Sequence, residues 1–499
     1  MARPVGAPPR PRTPPLNRRV LFGGTALLAV ALLLTFIVAL LRIDVPPRTL
    51  ATYIERRLAQ HDGLLGRSGV WLAQFLTELD RGEKGAPIPL AIRIGAQIEA
   101  PPLPAVAVMN PVVVASAVET RRAIEHAQAG DAITLEPGTY RFSGSGISVT
   151  RPGTASANIV VRAARPRTVF IEMDNLEGFI VAAPFWRFEN LTIRGVCRDH
   201  SACEHAFHVV GKATNFVARN NTLIDFNAHI KVNGQDRHFP DDGWVEGNTI
   251  ANTAARQTDN PVTPFDLVAA SRWTVRGNLI TDFVKAQGDR ISYGAFAKAG
   301  GADNRFERNV VLCEYLLRDA PGRRVGLSLG GGGSSGGGKF CRDSACAIEQ
   351  EGSAIESNLI AFCSDDGIYV NRGASSRILN NTLIDTGGIV VRFVESGADV
   401  EGNLVDGAIR SRDGAALHAE DNLTTSVGAL YFGRHPHRQL FRDALALDLE
   451  WAMEPPRHRS VTRTSPELCG ATRPPRPVYG AFEDIGPCRA GGPTPQTGR

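Results

Sequence analysis

Residues 277–313 read GNLITDFVKAQGDRISYGAFAKAGGADNRFERNVVLC, and the phrase that opens the stretch, GNLITD, returns near its end as RNVVLC. Related phrases are NLTIRG from Asn190, NNTLID from Asn220, GNTIAN from Gly247, SNLIAF from Ser357, NNTLID from Asn380, GNLVDG from Gly402 and DNLTTS from Asp421. The asparagines fall at 190, 221, 248, 278, 309, 358, 381, 403 and 422, with spacings of 31, 27, 30, 31, 49, 23, 22 and 19 residues. Units recurring at this period mark a solenoid, in which each unit buries its apolar side against its neighbours. An Asn followed by a short apolar run suits a corner and then a strand, so each unit is expected to be one coil of a right-handed parallel β-helix. The repeated Asn is expected to be a structural ladder, its amides bonded to neighbouring turns.

Upstream, SAVETRRAIEHAQAGD from Ser116 predicts a helix capping the solenoid, with Ser116 and Glu119 at capping-box spacing and Gly130 as its stop. AITLEPGTYRF then alternates like a strand and turns at Pro137-Gly138. Earlier still, TLATYIERRLAQ from Thr49 and VWLAQFLTELDRG from Val70 have helical periodicity, and PIPL and EAPPLPA make a stiff connection, together a short helical stalk or membrane-proximal cap. The expected organisation is a basic N-terminus (1–19), a transmembrane helix (20–41), a helical and Pro-rich membrane-proximal segment (42–109), an all-β parallel β-helix (110–440), and a C-terminal cap and tail (441–499).

Composition agrees with a β-rich, exported body. Of 499 residues 51 are Gly and 32 Pro, which favours turns over long helices. The net charge of +4 arises at the start of the chain, where six Arg against Asp44 give +5 in the first 44 residues and leave −1 for the rest. No global basic field remains, so nucleic acid is excluded as a partner. Val20 to Leu41 carries no charge over 22 residues, long enough to cross a bilayer core of about 30 Å. Five Arg precede it, so a single-pass inner-membrane anchor is expected, with the N-terminus in the cytoplasm and the main domain periplasmic or otherwise extracytoplasmic. An oxidising compartment makes Cys197/Cys203, Cys341/Cys346 and Cys469/Cys488 disulfide candidates. His200, His205 and His208 lie close to the first pair and are read as solvated histidines beside a disulfide, not as metal ligands.

EHAQAGDAITLEPGTYRF from Glu125 is similar to the opening, and VYGAFED from Val478 to the closing segment, of the pectin-lyase-like right-handed parallel β-helix proteins. Over roughly residues 110–485 the chain resembles these proteins, and distantly the chondroitinase B and alginate lyase family. That resemblance implies β-elimination at a uronic acid of an acidic polysaccharide, with calcium as a cofactor. GDRISYGAFAKAGGADNRFERN from Gly288 is similar to the stretch in which an acidic calcium ligand precedes Ile-Ser and a catalytic Lys follows, matching Asp289, Ile291-Ser292 and Lys298. The Lys lies further from Ile-Ser here, and Arg323 and Arg324 stand where the family has Arg-His-Gly.

Elimination needs a cation on the uronate carboxylate and a base for the proton beside it. Between Asn233 and Glu307 the oxygen ligands on offer include Asp241 and Asp242, with Asp259, Asp266 and Asp289 the expected metal set. Lys298, with Arg290 and Tyr293, is the expected catalytic group. Arg256, Arg272, Lys285, Arg323 and Arg324 are the expected substrate cations. The other enzymatic reading is CSDDGIYVNR from Cys363, where Asp365 and Asp366 resemble the adjacent Asp pair of the polygalacturonase hydrolases. A glycan-binding or envelope-structural β-helix is the non-enzymatic reading. SLGGGGSSGGGKF from Ser328 has Phe340 where a phosphate loop needs Ser or Thr, so no nucleotide is expected and the segment reads as an inserted flap.

Overall fold

The structure, a computed structural model, describes residues 44–58, 61, 63–83, 92–98, 110–318, 320–331, 341–459 and 465–489. The apolar run 20–41 and the Gly-rich residues 332–340 lie outside the described residues. Among the described residues no helix is long and apolar enough to cross a membrane.

The chain is a parallel β-helix. Three sheets run its length, of 12, 11 and 10 strands, and all pairings in them are parallel. The first sheet runs from Asn110–Val114 to Ala416–Glu420, the second from Gly138–Ser143 to Leu423–Thr424, and the third from Ile147–Val149 to Ala408–Arg412. One coil takes a strand from each sheet in turn, as in Thr274–Arg276, Leu279–Thr281 and Ile291–Lys298. Inward side chains stack on those of the next coil. Phe179, Phe188, Phe207, Phe216, Phe265, Trp273 and Phe306 form a continuous file with ring centroids 4.8–6.1 Å apart.

The repeated Asn sits at the corner between the first and second sheets. Asn221, Asn248, Asn278, Asn309, Asn358, Asn381, Asn403 and Asn422 stack, each Oδ1 accepting both the backbone N–H and the amide of the Asn before it at 2.8–3.1 Å. The residue preceding each ladder Asn is left-handed, as at Asn220 (φ 52°), Gly277 (φ 63°) and Asn380 (φ 54°), which is why Gly and Asn recur there. Asn190 is the exception to the expected period. It occupies the left-handed place itself (φ 61°), so Leu191 stands in the ladder and gives its N–H to Asn221 Oδ1 at 3.0 Å.

Helix α1 (Pro47–Leu58) and helix α2 (Leu64–Arg81) form a hairpin laid against the coils, where the sequence suggested a stalk. Its attachment is ionic and buried. Arg48 bonds Asp80 at 2.6 Å and the Cys363 carbonyl at 2.9 Å, and Arg81 bonds Asp385 at 2.8 Å and pairs with Glu314, which also holds Arg324 at 2.9 Å. Helix α3 (Ala117–Glu125) closes the first coil, with Ser116 accepting from the Glu119 N–H at 3.2 Å. It ends at the His126 cap, four residues before Gly130, which instead shapes the turn into Asp131–Leu135.

The three outer faces differ. On the first sheet, Arg219, Glu246, Arg276, Glu307, Arg305 and Glu356 pair with one another across coils. The second sheet is covered by the C-terminal segment, whose Phe441, Leu449, Tyr479, Phe482 and Ile485 pack on Val310, Leu359, Ile384 and Leu404. The third sheet carries a cleft.

Four disulfides close the fold: Cys197–Cys203, Cys341–Cys346, Cys469–Cys488 and Cys313–Cys363. The last joins successive coils and was left unpaired in the sequence reading, because its partners are 50 residues apart in chain and only the coil register makes them neighbours.

Candidate functional site

Strand alternation sends every second side chain of the third sheet outward, and parallel register stacks those side chains into columns. One column runs Lys231, Asp266, Phe296, Ser328, Tyr369, Val390 and Arg410. Beside it, Val268 pairs with Lys298, and on later coils Asn371 pairs with Arg392 and Arg392 with Arg412. Between these columns and the loops that enter the sheet lies a cleft of about 410 Å³. Its lining includes Lys285, Tyr293, Phe296, Lys298, Arg323, Asp365, Asp366, Tyr369, Asn371, Arg392 and Arg412.

Lys298 stands on its own in this cleft. Its ammonium lies 4.3 Å from the centre of the Phe296 ring, and no hydrogen bond or ion pair ties it to another described residue. Burial pushes its pKa below the ordinary lysine value; Asp266 opposes that shift and Lys231 adds to it. Asp266 is itself paired with Lys231.

Asp365 and Asp366 enter where the chain turns into Ile368–Asn371. Arg323 Nε donates to Asp365 Oδ2 at 2.6 Å, and Arg410 approaches Asp366 Oδ1 at 3.4 Å. Burial, reinforced by the charge of Asp365, pushes Asp366 up to about 7. Tyr293 and Tyr369 are pushed up by burial too, so both keep their protons at neutral pH. Arg392 pairs with the exposed Asp413, while Arg412 has no carboxylate partner within 4 Å among the described residues.

The expected residues divide. Lys298, Tyr293, Lys285, Arg323, Asp289, Asp365 and Asp366 converge on the cleft. Arg290 does not line it: it is exposed, in a left-handed turn (φ 54°) at the loop end. Arg256 is buried in the loop wall, bonding Asn227 at 2.9 Å and the His200 carbonyl at 3.2 Å. Arg272 lies at the opposite corner, held by Asp242 at 2.6 Å and Asp241 at 3.2 Å. Arg324 turns away from the cleft to Glu314 and the helical hairpin.

The expected calcium set does not fit that ion. Asp259 is exposed, Asp266 is taken by Lys231, and Asp289 bonds Lys285 at 2.8 Å, so the three carboxylates do not converge. A group of metal-type donors does exist among the described residues, at Glu177, His205 and His208. Sequence reasoning did not bring Tyr369, Asn371, Arg392 and Arg412 together as a group. Tyr369 and Asn371 lie within CSDDGIYVNR, which was read only for its Asp pair, and the four are united only by their outward places on neighbouring coils.

The class these features define is a parallel β-helix with a charged cleft on one outer sheet. Among solved structures the chain is similar to the pectate lyase Pel9A (14% identity, TM-score 0.45), covering 76% of this chain and 98% of that one. It is also similar to an alginate lyase from Paenibacillus sp. str. FPU-7 (14% identity, TM-score 0.34, 64% of this chain and 98% of that one). A third is the GH136 lacto-N-biosidase from Eubacterium ramulus (12% identity, TM-score 0.37, 63% and 68%). No family model matches the sequence, and no curated protein matches it.

Proposed function

We propose that this chain cleaves an acidic polysaccharide in the third-sheet cleft by β-elimination at a uronic acid. The observation that carries the reading is Lys298: a half-buried amine in the cleft wall, with a lowered pKa and no counter-ion at bonding distance, in one cleft with Arg323, Arg392 and Arg412. Lys298 in its neutral form takes the proton beside the uronate carboxylate. The arginines hold that carboxylate and stabilise the charge that develops on it. As the bond to the leaving sugar oxygen breaks and the double bond forms, Asp366, protonated near neutrality, supplies the proton that oxygen needs. No step is assigned to calcium.

Purified protein incubated with alginate, pectate, chondroitin and dermatan sulfate is expected to raise the ultraviolet absorbance of an unsaturated uronate on one of them. Lys298→Ala is expected to lower that rate by roughly 10²- to 10⁴-fold, the usual worth of a general base. Absence of the chromophore on every polymer removes this reading.

Hydrolysis is the second reading, favoured by Asp366 being held protonated next to an Arg323-paired Asp365, an arrangement that can divide acid and base roles. New reducing ends without the chromophore, lost in Asp366→Asn, would select it. We further propose that 20–41 anchors the protein in the cytoplasmic membrane with the β-helix outside, a placement the four disulfides support. Alkaline carbonate extraction and protease accessibility in spheroplasts test it: release by carbonate, or protection of the β-helix, would reject it.

A further inference from the structure

Away from the cleft, the same outer sheet carries a second group of side chains that the proposed reaction does not use. Glu177 and His205 are register partners on neighbouring coils, and His208 Nδ1 lies 2.7 Å from Glu177 Oε1. One donor atom from each of the three residues lies within 4.8 Å of the others.

The backbone is built to bring them together. In a regular strand two residues three apart face opposite sides. Here the N–H groups of Ala206 and Phe207 both reach the His229 carbonyl, at 3.1 and 3.0 Å, which is the pairing of a β-bulge. Ala206 and Phe207 are therefore both buried, and His205 and His208 both face outward. A bulge that re-aims one side chain is a common device beside functional sites.

Both rings are held by oxygens outside the group. The Ala228 carbonyl meets His205 Nδ1 at 3.0 Å, and Asn233 Oδ1 meets His208 Nε2 at 2.7 Å, with the Asn233 amide fixed by its bond to the Gly234 carbonyl at 3.0 Å. Those contacts leave His205 Nε2 and His208 Nδ1 to the cluster, the arrangement in which a backbone or amide oxygen orients a ligating imidazole. The side chains of Glu177 and His208 are 28% and 19% exposed, so the group is rigid but open to solvent.

We infer that Glu177, His205 and His208 bind a divalent transition metal, with zinc the best match to two imidazoles and a carboxylate. Two nitrogen donors disfavour calcium and magnesium, whose sites are built from oxygen. Three protein ligands leave zinc an open coordination position, here facing out of the sheet. The column His208, Lys231, Asp266, Phe296 puts this site three coils from Phe296, about 14 Å along the same outer face at the usual strand spacing.

The test uses the full chain in detergent, stripped with a chelator and titrated with Zn²⁺ alone against a chromophoric competitor. The wild type is expected to bind one equivalent and to gain thermal stability on binding, as any ligand of the folded state requires. His208→Ala and the milder Glu177→Gln, which keeps the side-chain volume, are expected to lose both the tight equivalent and the stabilisation. His418→Ala, at an exposed histidine beside Asp399 and Glu420, is expected to change neither. Failure of the wild type to bind, binding unaltered in Glu177→Gln and His208→Ala, or loss in His418→Ala would each overturn the assignment. Unchanged circular dichroism shows that a loss is not unfolding.

Discussion

Asp366 links activity to stability at one carboxyl group. Ordinarily an aspartate titrates near 4, but burial beside Asp365 pushes this one up to about 7. Between those values the folded chain holds a proton that the unfolded chain has lost, so folding stability falls as pH rises from about 4 through 7. Asp366→Asn removes that slope. The variant is expected to gain on the wild type by on the order of a few kcal/mol between pH 4 and 8 in denaturant melts, while losing turnover. A wild type whose stability is flat over that range would contradict the assignment. Lys298 was legible in the sequence because the chain has only six lysines and this one follows Ile291-Ser292 in a strand with Tyr293 and Phe296. The cleft arginines were half legible. Arg323 and Arg324 are adjacent, and only the strand's alternation decides that the first faces the cleft and the second the hairpin.

At the scale of the element, the Asn ladder makes each coil depend on its neighbours. Asn309 accepts twice from Asn278 at 3.0 Å and donates to the Val275 carbonyl at 2.9 Å and Asn358 at 3.0 Å, all of it buried. Asn309→Ala leaves those partners unsatisfied and is expected to cost about 3 kcal/mol in chemical denaturation. Asn422, the last of the ladder, is partly exposed, so water can replace its bonds and Asn422→Ala is expected to cost about 1 kcal/mol. Equal costs at the two positions would show that the ladder is not what holds the coils in register. The period was readable because ladder and left-handed corner use chemically distinct residues in most coils. In the Asn190 coil the corner is Asn and the ladder place is Leu191, and because Asn is at home in either place the reading slipped by one.

On the scale of the whole molecule, long-range ties act where the solenoid has only nearest neighbours. The Cys313–Cys363 bond closes a loop of 50 residues, and replacing both by Ser is expected to cost about 4 kcal/mol on the chain-entropy relation, read by melts with and without reductant. Arg81 is tied to Asp385 across 304 residues. Arg81→Met leaves Asp385 to Arg48 and Glu314 to Arg324, with one negative charge of the buried cluster uncompensated, and is expected to cost about 3–5 kcal/mol, whereas an exposed pair such as Arg141 and Glu172 is worth under about 1 kcal/mol. None of these ties was visible in the sequence. The hairpin's helices were, from their periodicity, but what they rest on is fixed by residues hundreds of positions away. That separation sets a timetable. During synthesis α1 and α2 precede every coil, yet Glu314, Asp385 and the Arg438 side chain that bonds the Asp80 and Arg81 carbonyls are made more than 200 residues later. The hairpin therefore has nothing to close on until the coils behind it exist, and it acts as a latch that a truncated or stalled solenoid cannot engage. In pulsed hydrogen exchange during refolding, the amides of α1 and α2 are expected to gain protection after those of the strands; protection of the hairpin first would show that it folds unaided.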